Sequence, residues 1–323
     1  MSAWSSRLLR LYEARFGKTF QEDRMRPLLI IAGATGTGKS DLAVACAKIM
    51  NGEVISADSM QIYRGLNIGT AKITKEEMQG VLHHLIDVAD PTDTFTAADY
   101  KKLAVEAMQD ILSRGKLPIF CGGTGLYISS VIYDLSFSGN YDPGLREALL
   151  REKEEKGKNY MHQKLASLDQ EAAARLHVND EKRVIRAIEK ALTGGKKEQD
   201  LTSPKYPYKM FLTDMPRDVL YDRIEKRVDK MMEKGLKKEV YDLLPKIGFD
   251  KQCMQAIAYK EWALEGEIGE SEVVALIKKN TRNYAKRQIT WFKQYPDAVK
   301  VPMIGHKVEE LAERIKKTFE EQK

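Results

Sequence analysis

Gly33-Ala34-Thr35-Gly36-Thr37-Gly38-Lys39-Ser40 satisfies G-x-x-x-x-G-K-[ST], a spacing that lets a chain wrap its own N–H groups around a phosphate. The glycines permit the turn, and a helix start behind them adds its positive dipole end. Lys39 is placed to reach the outer phosphate oxygens, and the Ser40 hydroxyl to meet a magnesium ion. The flanks suit such a loop. Leu28-Leu29-Ile30-Ile31-Ala32 reads as a buried strand, and Leu42, Ala45 and Ile49 repeat at helical spacing between Asp41 and Met50. The chain is therefore expected to bind a di- or polyphosphate, and the loop alone does not say which.

A carboxylate follows the second strand, Glu53-Val54-Ile55-Ser56-Ala57, at Asp58-Ser59-Met60-Gln61. Three roles fit Asp58: a magnesium ligand through water, a general base for an acceptor group, or the cap of the next turn. Leu117-Pro118-Ile119-Phe120-Cys121 is a further strand that runs into Gly122-Gly123-Thr124-Gly125. Ligands of open α/β sheets sit outside the carboxyl ends of the strands, so the loop, Asp58 and Thr124 should share one crevice.

Three basic clusters stand out. Arg223, Arg227, Lys230 and Lys234 make one stripe of a helix over 216–234, beside an apolar stripe of Leu220, Ile224, Val228 and Met231. Arg223 and Arg227 are expected to point into the crevice, and Lys230 and Lys234 into solvent. Lys182, Arg183 and Arg186 form the second cluster. Lys279, Arg282, Lys286 and Lys293, with Arg287 beside them, form the third, opposite a core side of Ile277, Tyr284 and Trp291. With a net charge of +6, these clusters fit a phosphate backbone partner as well as they fit solvated helix faces. His83-His84 has no third ligand nearby and reads as structural or substrate-contacting.

The elements that must position these groups follow from pattern and composition. A chain of 323 residues, 43% hydrophobic and 31% charged, is long enough for a large core. No apolar run approaches a bilayer span, so an integral membrane protein is not expected. Cys46, Cys121 and Cys253 lack metal-ligand spacing, which suits reduced cytosol without a disulfide framework or a zinc site. Residues 1–26 read as an N-terminal extension. Residues 27–138 alternate strand and helix, which predicts an α/β fold with a parallel sheet, helices on both faces and the phosphate loop at its centre. Residues 139–203 read as a helical insertion, with helices over Pro143 to Lys156, Tyr160 to Leu168, Gln170 to Leu176 and Glu181 to Leu192. Asn179-Asp180 is the expected N-cap of the last, and Gly194-Gly195 its stop. Residues 204–323 complete the core with a strand at Lys209 to Thr213, then helices, a short strand near Val299 to Val301 and a final charged helix.

Taken in order, these stretches resemble the tRNA dimethylallyltransferase (tRNA isopentenyltransferase) family of bacterial type. The resemblance covers nearly all of residues 27–300. It rests on the phosphate loop, on Asp58 to Arg64, Asn67-Ile68-Gly69-Thr70-Ala71-Lys72 and His83 to Asp87, on Gly122 to Tyr127, and on Asn179-Asp180 with Arg183 and Arg186. It ends in Thr281-Arg282-Asn283-Tyr284-Ala285-Lys286-Arg287-Gln288. The resemblance implies transfer of a dimethylallyl group from dimethylallyl diphosphate to N6 of the adenosine immediately 3′ of the anticodon, with loss of pyrophosphate. The loop from Gly33 to Ser40, magnesium on Ser40, and Arg227 would hold the diphosphate, and Asp58 would accept the N6 proton. Asp58, Ser59, Met60, Gln61, Thr124, Arg146, Lys182 to Arg186 and Gln255 to Lys260, Tyr259 among them, would lie along the anticodon stem-loop. Arg282, Lys286 and Arg287 join them as a basic cluster. A cytoplasmic monomer with no membrane partner is expected. A small-molecule kinase, or an isopentenyltransferase acting on free adenine nucleotides, is the alternative. Two positions depart from the family pattern: Ala34, where proline is frequent, and Ala258, where glycine usually precedes the tyrosine.

Overall fold

The computed structural model describes residues 27–135, 137, 143–194 and 203–321. The expectation for residues 1–26 and the Gly195 half of the helix stop lie outside these. Contacts divide the chain into two compact units, one built from the chain up to Asp134 and from Ser203 onward, the other spanning Leu135–Thr202.

The first unit is a parallel sheet of six strands: β1 (Leu28–Gly33), β2 (Gly52–Ser56), β3 (His83–His84), β4 (Leu117–Gly122), β5 (Tyr208–Asp214) and β6 (Val299–Pro302). Their order across the sheet is β3-β2-β4-β1-β5-β6, and every pairing is parallel. Side chains alternate between faces with a period of two. In β1, Leu28, Ile30 and Ala32 enter one core and Leu29 and Ile31 the other. Helix α1 (Lys39–Ile49) packs on the second core, and α3 (Ala97–Ser113) and α4 (Gly125–Ile132) on the first. The short α2 (Lys75–Met78) and α3 both begin with a capping box, Thr74 with Glu77 and Thr96 with Asp99. No described helix is long and apolar enough to cross a membrane.

The second unit holds α5 (Pro143–Leu168), α6 (Gln170–Arg175) and α7 (Glu181–Leu192) around Leu149, Met161, Leu165, Val184, Ile185 and Ile188. Gly157, at φ +79°, breaks α5 where the expected pair of helices meets. Asp180 occupies the N-cap of α7, yet its side chain makes no capping bond. Its carboxylate turns to Arg183 at 3.3 Å instead.

After β5 the first unit continues with α8 (Arg217–Glu233), α9 (Leu236–Ile247), a short α10 (Glu265–Ile268), α11 (Glu270–Phe292) and, beyond β6, α12 (Val308–Glu320). The two-residue β3 is not foreseen from the sequence. It makes His83-His84 structural: His84 Nε2 lies 2.8 Å from Glu53 Oε2.

Glu53 is 1% exposed and also meets Lys116 at 2.8 Å and Arg114 through both guanidinium nitrogens. The Arg114 hydrogen bonds, aided by Lys116 and His84, hold its carboxyl well below the usual carboxylate range. A depressed folded-state value means stability that is present above the unfolded value of about 4.3 and is lost as pH falls toward the folded one. Glu53→Gln is expected to cost about 2–3 kcal/mol at neutral pH in urea unfolding, less than a fully enclosed pair because water screens Arg114 and Lys116. The difference from wild type should shrink below about pH 4.

Candidate functional site

Between β1 and α1 the chain turns at Gly36 and Gly38, with φ of +84° and +89°, a region that residues with a Cβ enter only at a cost. Gly38 is the N-cap of α1 and no side chain caps that end, so its first N–H groups stay available to an anion. Thr37 fastens the loop from beneath. Its hydroxyl donates to the Ala34 carbonyl at 2.8 Å and shares a 2.6 Å hydrogen bond with Thr213 Oγ1. Lys39 Nζ donates back to the Ala34 carbonyl at 3.2 Å. Burial pushes the Lys39 pKa below the ordinary lysine value, with Cys121 and Asp58 opposing. Arg227, on α8, donates from Nη1 to Thr35 Oγ1 at 3.3 Å. Burial lowers its pKa too, against the pull of Asp58, but a guanidinium stays charged in any protein.

Two cavities adjoin here. The larger, about 680 Å³, is walled by the phosphate loop with Lys39 and Ser40, by the strap over 67–74, and by Arg223, Lys226, Arg227, Lys230 and Lys234. The smaller, about 270 Å³, is walled by Ser59, Met60, Ile257, Lys260, Tyr284 and Arg287 among others. Thr35, Asp58, Thr70, Arg227 and Met231 belong to both, so the seam between the cavities carries one carboxylate and one guanidinium. Asp58 Oδ1 accepts the N–H groups of Met60 at 2.9 Å and Gln61 at 3.4 Å. Its other oxygen has no hydrogen-bond partner among the described residues. Thr124 Oγ1 accepts the Ser59 N–H at 3.0 Å and so fixes the turn that follows Asp58.

Ser40 lines the larger cavity, yet among the described residues no group of three or more His, Cys, Asp or Glu could hold a metal ion. A cation there would draw its oxygens from Ser40, water and the diphosphate itself, a donor set that suits magnesium.

The expected site residues divide. Asp58, Ser59, Met60, Gln255, Lys260 and Arg287 converge on the smaller cavity, and Thr124 stands behind Ser59. Gln61 faces the larger one and ties down the strap through the Thr70 and Ala71 carbonyls. Tyr259 is a correction. It is 0% exposed, and its hydroxyl donates to Glu239 Oε1 at 2.5 Å, so it cannot touch tRNA here. Glu239 in turn receives the N–H groups of Asn67, Ile68 and Gly69, which makes Tyr259 a support of the strap. Arg282 is committed to Glu225 at 2.5 Å and couples α8 to α11. Lys286 stays exposed, over the Tyr221 ring. In the second unit Arg146 and Arg186 both bond the buried Glu189, at 2.9 and 3.0 Å, while Lys182 and Arg183 remain exposed. Lys230 and Lys234 are exposed as expected, but they rim the larger cavity. Tyr284, expected in the core, lines the smaller cavity, and its hydroxyl faces the Thr124 and Gln288 side chains. Burial pushes that hydroxyl up to about 12, with Asp58 adding to the shift. Its heptad spacing hid this role, because a helix face looks the same whether it meets a core or a cavity.

A family model described as IPP transferase matches residues 61–295. The chain belongs to the IPP transferase family. A tRNA dimethylallyltransferase of Exiguobacterium is 46% identical over 290 residues, 88% of this chain and 93% of that protein. One from Bacillus subtilis is 48% identical over 276 residues, 83% of this chain and 88% of that one. The crystal structure of a full-length tRNA isopentenylpyrophosphate transferase from Bacillus halodurans superposes with a TM-score of 0.70 at 42% identity, covering 92% of this chain and 98% of that one. A eukaryotic dimethylallyltransferase acting on tRNA superposes at 0.75 with 28% identity, covering 87% and 74%. The bacterial-type resemblance and the α/β fold expected from the sequence are both borne out.

Ala258, where the resemblance noted in the sequence leads to the expectation of a glycine, has a backbone φ of +76° in this IPP transferase. Its N–H is held by Glu261 Oε2 at 2.9 Å, and Glu261 Oε1 accepts from Asn280 at 2.7 Å. An alanine kept in the left-handed region is strained. Ala258→Gly is expected to stabilise the protein by about 1 kcal/mol, read as a higher urea midpoint at unchanged m-value.

Proposed function

We propose that the chain transfers the dimethylallyl group of dimethylallyl diphosphate to N6 of the adenosine immediately 3′ of the anticodon in a subset of tRNAs. The observation that carries this reading is the seam at Asp58 and Arg227, where a cavity built around a phosphate loop opens onto a second, smaller one. In the proposal the donor's diphosphate lies on the loop and the adenine enters the smaller cavity. At about 270 Å³ that cavity falls just below the ~300–1,000 Å³ of drug-sized ligand pockets, which suits one unstacked base.

The allylic C–O bond breaks with its electron pair going to pyrophosphate, and N6 supplies the pair that forms the new C–N bond. Negative charge grows on the departing pyrophosphate, where loop N–H groups, Lys39 and Arg227 stabilise it. Magnesium, when bound at Ser40, adds Lewis-acid stabilisation of the same oxygens. N6 is a weak nucleophile because its lone pair is delocalised into the ring. The free oxygen of Asp58 accepts its proton as the bond forms. Lys182 and Arg183 of the helical unit, with Lys260 and Arg287, are proposed to bind phosphates of the stem-loop, and the chain works in the cytoplasm as a monomer.

The test is incorporation of labelled dimethylallyl diphosphate into unmodified tRNA, with magnesium present and ATP absent. Label at the adenosine beside the anticodon supports the reading. Label only on free adenine nucleotide, or turnover of ATP without transfer, overturns it.

A further inference from the structure

We propose that Gln288 is a positioning residue for the transfer: its amide sets the phosphate loop and the Thr124 turn at one fixed separation, so that donor and base meet in register. The inference rests on the transferase reading above.

Gln288 lies on the inner face of α11 and is 5% exposed, in a row with the apolar Ile277, Ala285 and Phe292. A polar side chain at such a place needs partners, and here, beside the Tyr284 hydroxyl, they include two loops. Oε1 accepts the Thr35 N–H at 2.8 Å, and Nε2 donates to the Gly123 carbonyl at 3.1 Å. One partner is a donor and the other an acceptor, so only one orientation of the amide satisfies both. Gly123 leaves no space beside it: a Cβ there would stand 2.0 Å from Gln288 Nε2.

Each loop leads to one half of the reaction. Thr35 holds the Arg227 guanidinium through its hydroxyl, on the diphosphate side. Gly123 precedes Thr124, which fixes Ser59 and thereby the turn that carries Asp58, on the acceptor side. The strands ending in these loops, β1 and β4, are neighbours, but their pairing stops at Ala32 and Gly122. Beyond that point Gln288 continues the connection. Near-attack geometry is sensitive to displacements of about 1 Å, so a bridge across the two loops bears on kcat more than on either ligand's binding.

The experiment compares wild type with Gln288→Met, which keeps length without hydrogen bonding, and Gln288→Glu, which keeps the acceptor for Thr35 but turns an oxygen toward the Gly123 carbonyl. When protonated, that glutamic acid can donate to Gly123 and restore both bonds. The expected result for folded Gln288→Met is a kcat lower by about tenfold or more, with the tRNA dissociation constant within about twofold. The ratio of kcat for Gln288→Glu to that for Gln288→Met should rise as pH is lowered from about 8 to about 6, because a carboxyl buried against a carbonyl protonates early. If Gln288→Met does not fold, Gln288→Glu against wild type reads the same pH trend. A kcat within about twofold of wild type, a flat ratio, or loss of fold in both variants would overturn the proposal. An inactive wild type would instead remove the transferase reading, and this inference with it, before any variant is compared.

Discussion

Asp58→Asn is expected to slow dimethylallyl transfer to tRNA by about 10²–10⁴-fold, the range of general-base catalysis, while tRNA affinity changes little. Asparagine is the informative replacement because its side-chain oxygen can still accept the Met60 N–H that Asp58 Oδ1 now takes at 2.9 Å. The turn, and with it the Ser59–Thr124 bond, should survive. What disappears is the second carboxylate oxygen, which has no hydrogen-bond partner among the described residues and can receive a proton at the seam of the two cavities. The measurement is single-turnover transfer with saturating donor, alongside a filter-binding titration of tRNA. Near-wild-type turnover would reduce Asp58 to a turn cap, one of the three roles its sequence position allows.

Lys39→Met should lower kcat/KM for the donor by about 10²–10³-fold, the cost of removing one charge-stabilising donor from the diphosphate side of the site. Affinity for tRNA should hold, since Lys39 lines only the larger cavity. Equal loss of both affinities would sink the division of the site into a donor side and an acceptor side. The same lysine gives a pH dependence of stated sign. Burial lowers its pKa in the free protein, and a bound diphosphate favours the charged form, so donor binding and proton uptake at Lys39 favour one another. Donor affinity should therefore fall as pH rises, beginning below the ordinary lysine value of about 10.4. Calorimetry in buffers of different ionisation enthalpy reads that uptake directly, and Lys39→Met should abolish it.

Much of the framework is legible along the chain because it is local. Buried parallel strands show as short apolar runs, helices as a 3.6-residue period, and the phosphate loop as glycines at fixed offsets before Lys39 and Ser40. The break in α5 shows in the same way, through Gly157. The exceptions have physical causes. β3 has two residues and no pattern long enough to count, and Asp180 gives up its capping bond to Arg183.

What the sequence by itself determined is therefore the α/β class, the phosphate loop and the set of polar groups that could serve it. The tertiary structure alone decided which of those groups reach the site. Arg282 and Arg287 are five residues apart on one helix, yet the first is held by Glu225 and the second lines a cavity. Tyr259 lies next to Lys260, yet one is sealed beneath the strap and the other faces the acceptor side. Gln288 meets Thr35 across 253 positions of sequence. A cation or an amide on a helix face carries the same local pattern whether it meets solvent, a carboxylate or a loop. Only the packing of distant segments supplies the partner, and the partner sets the role.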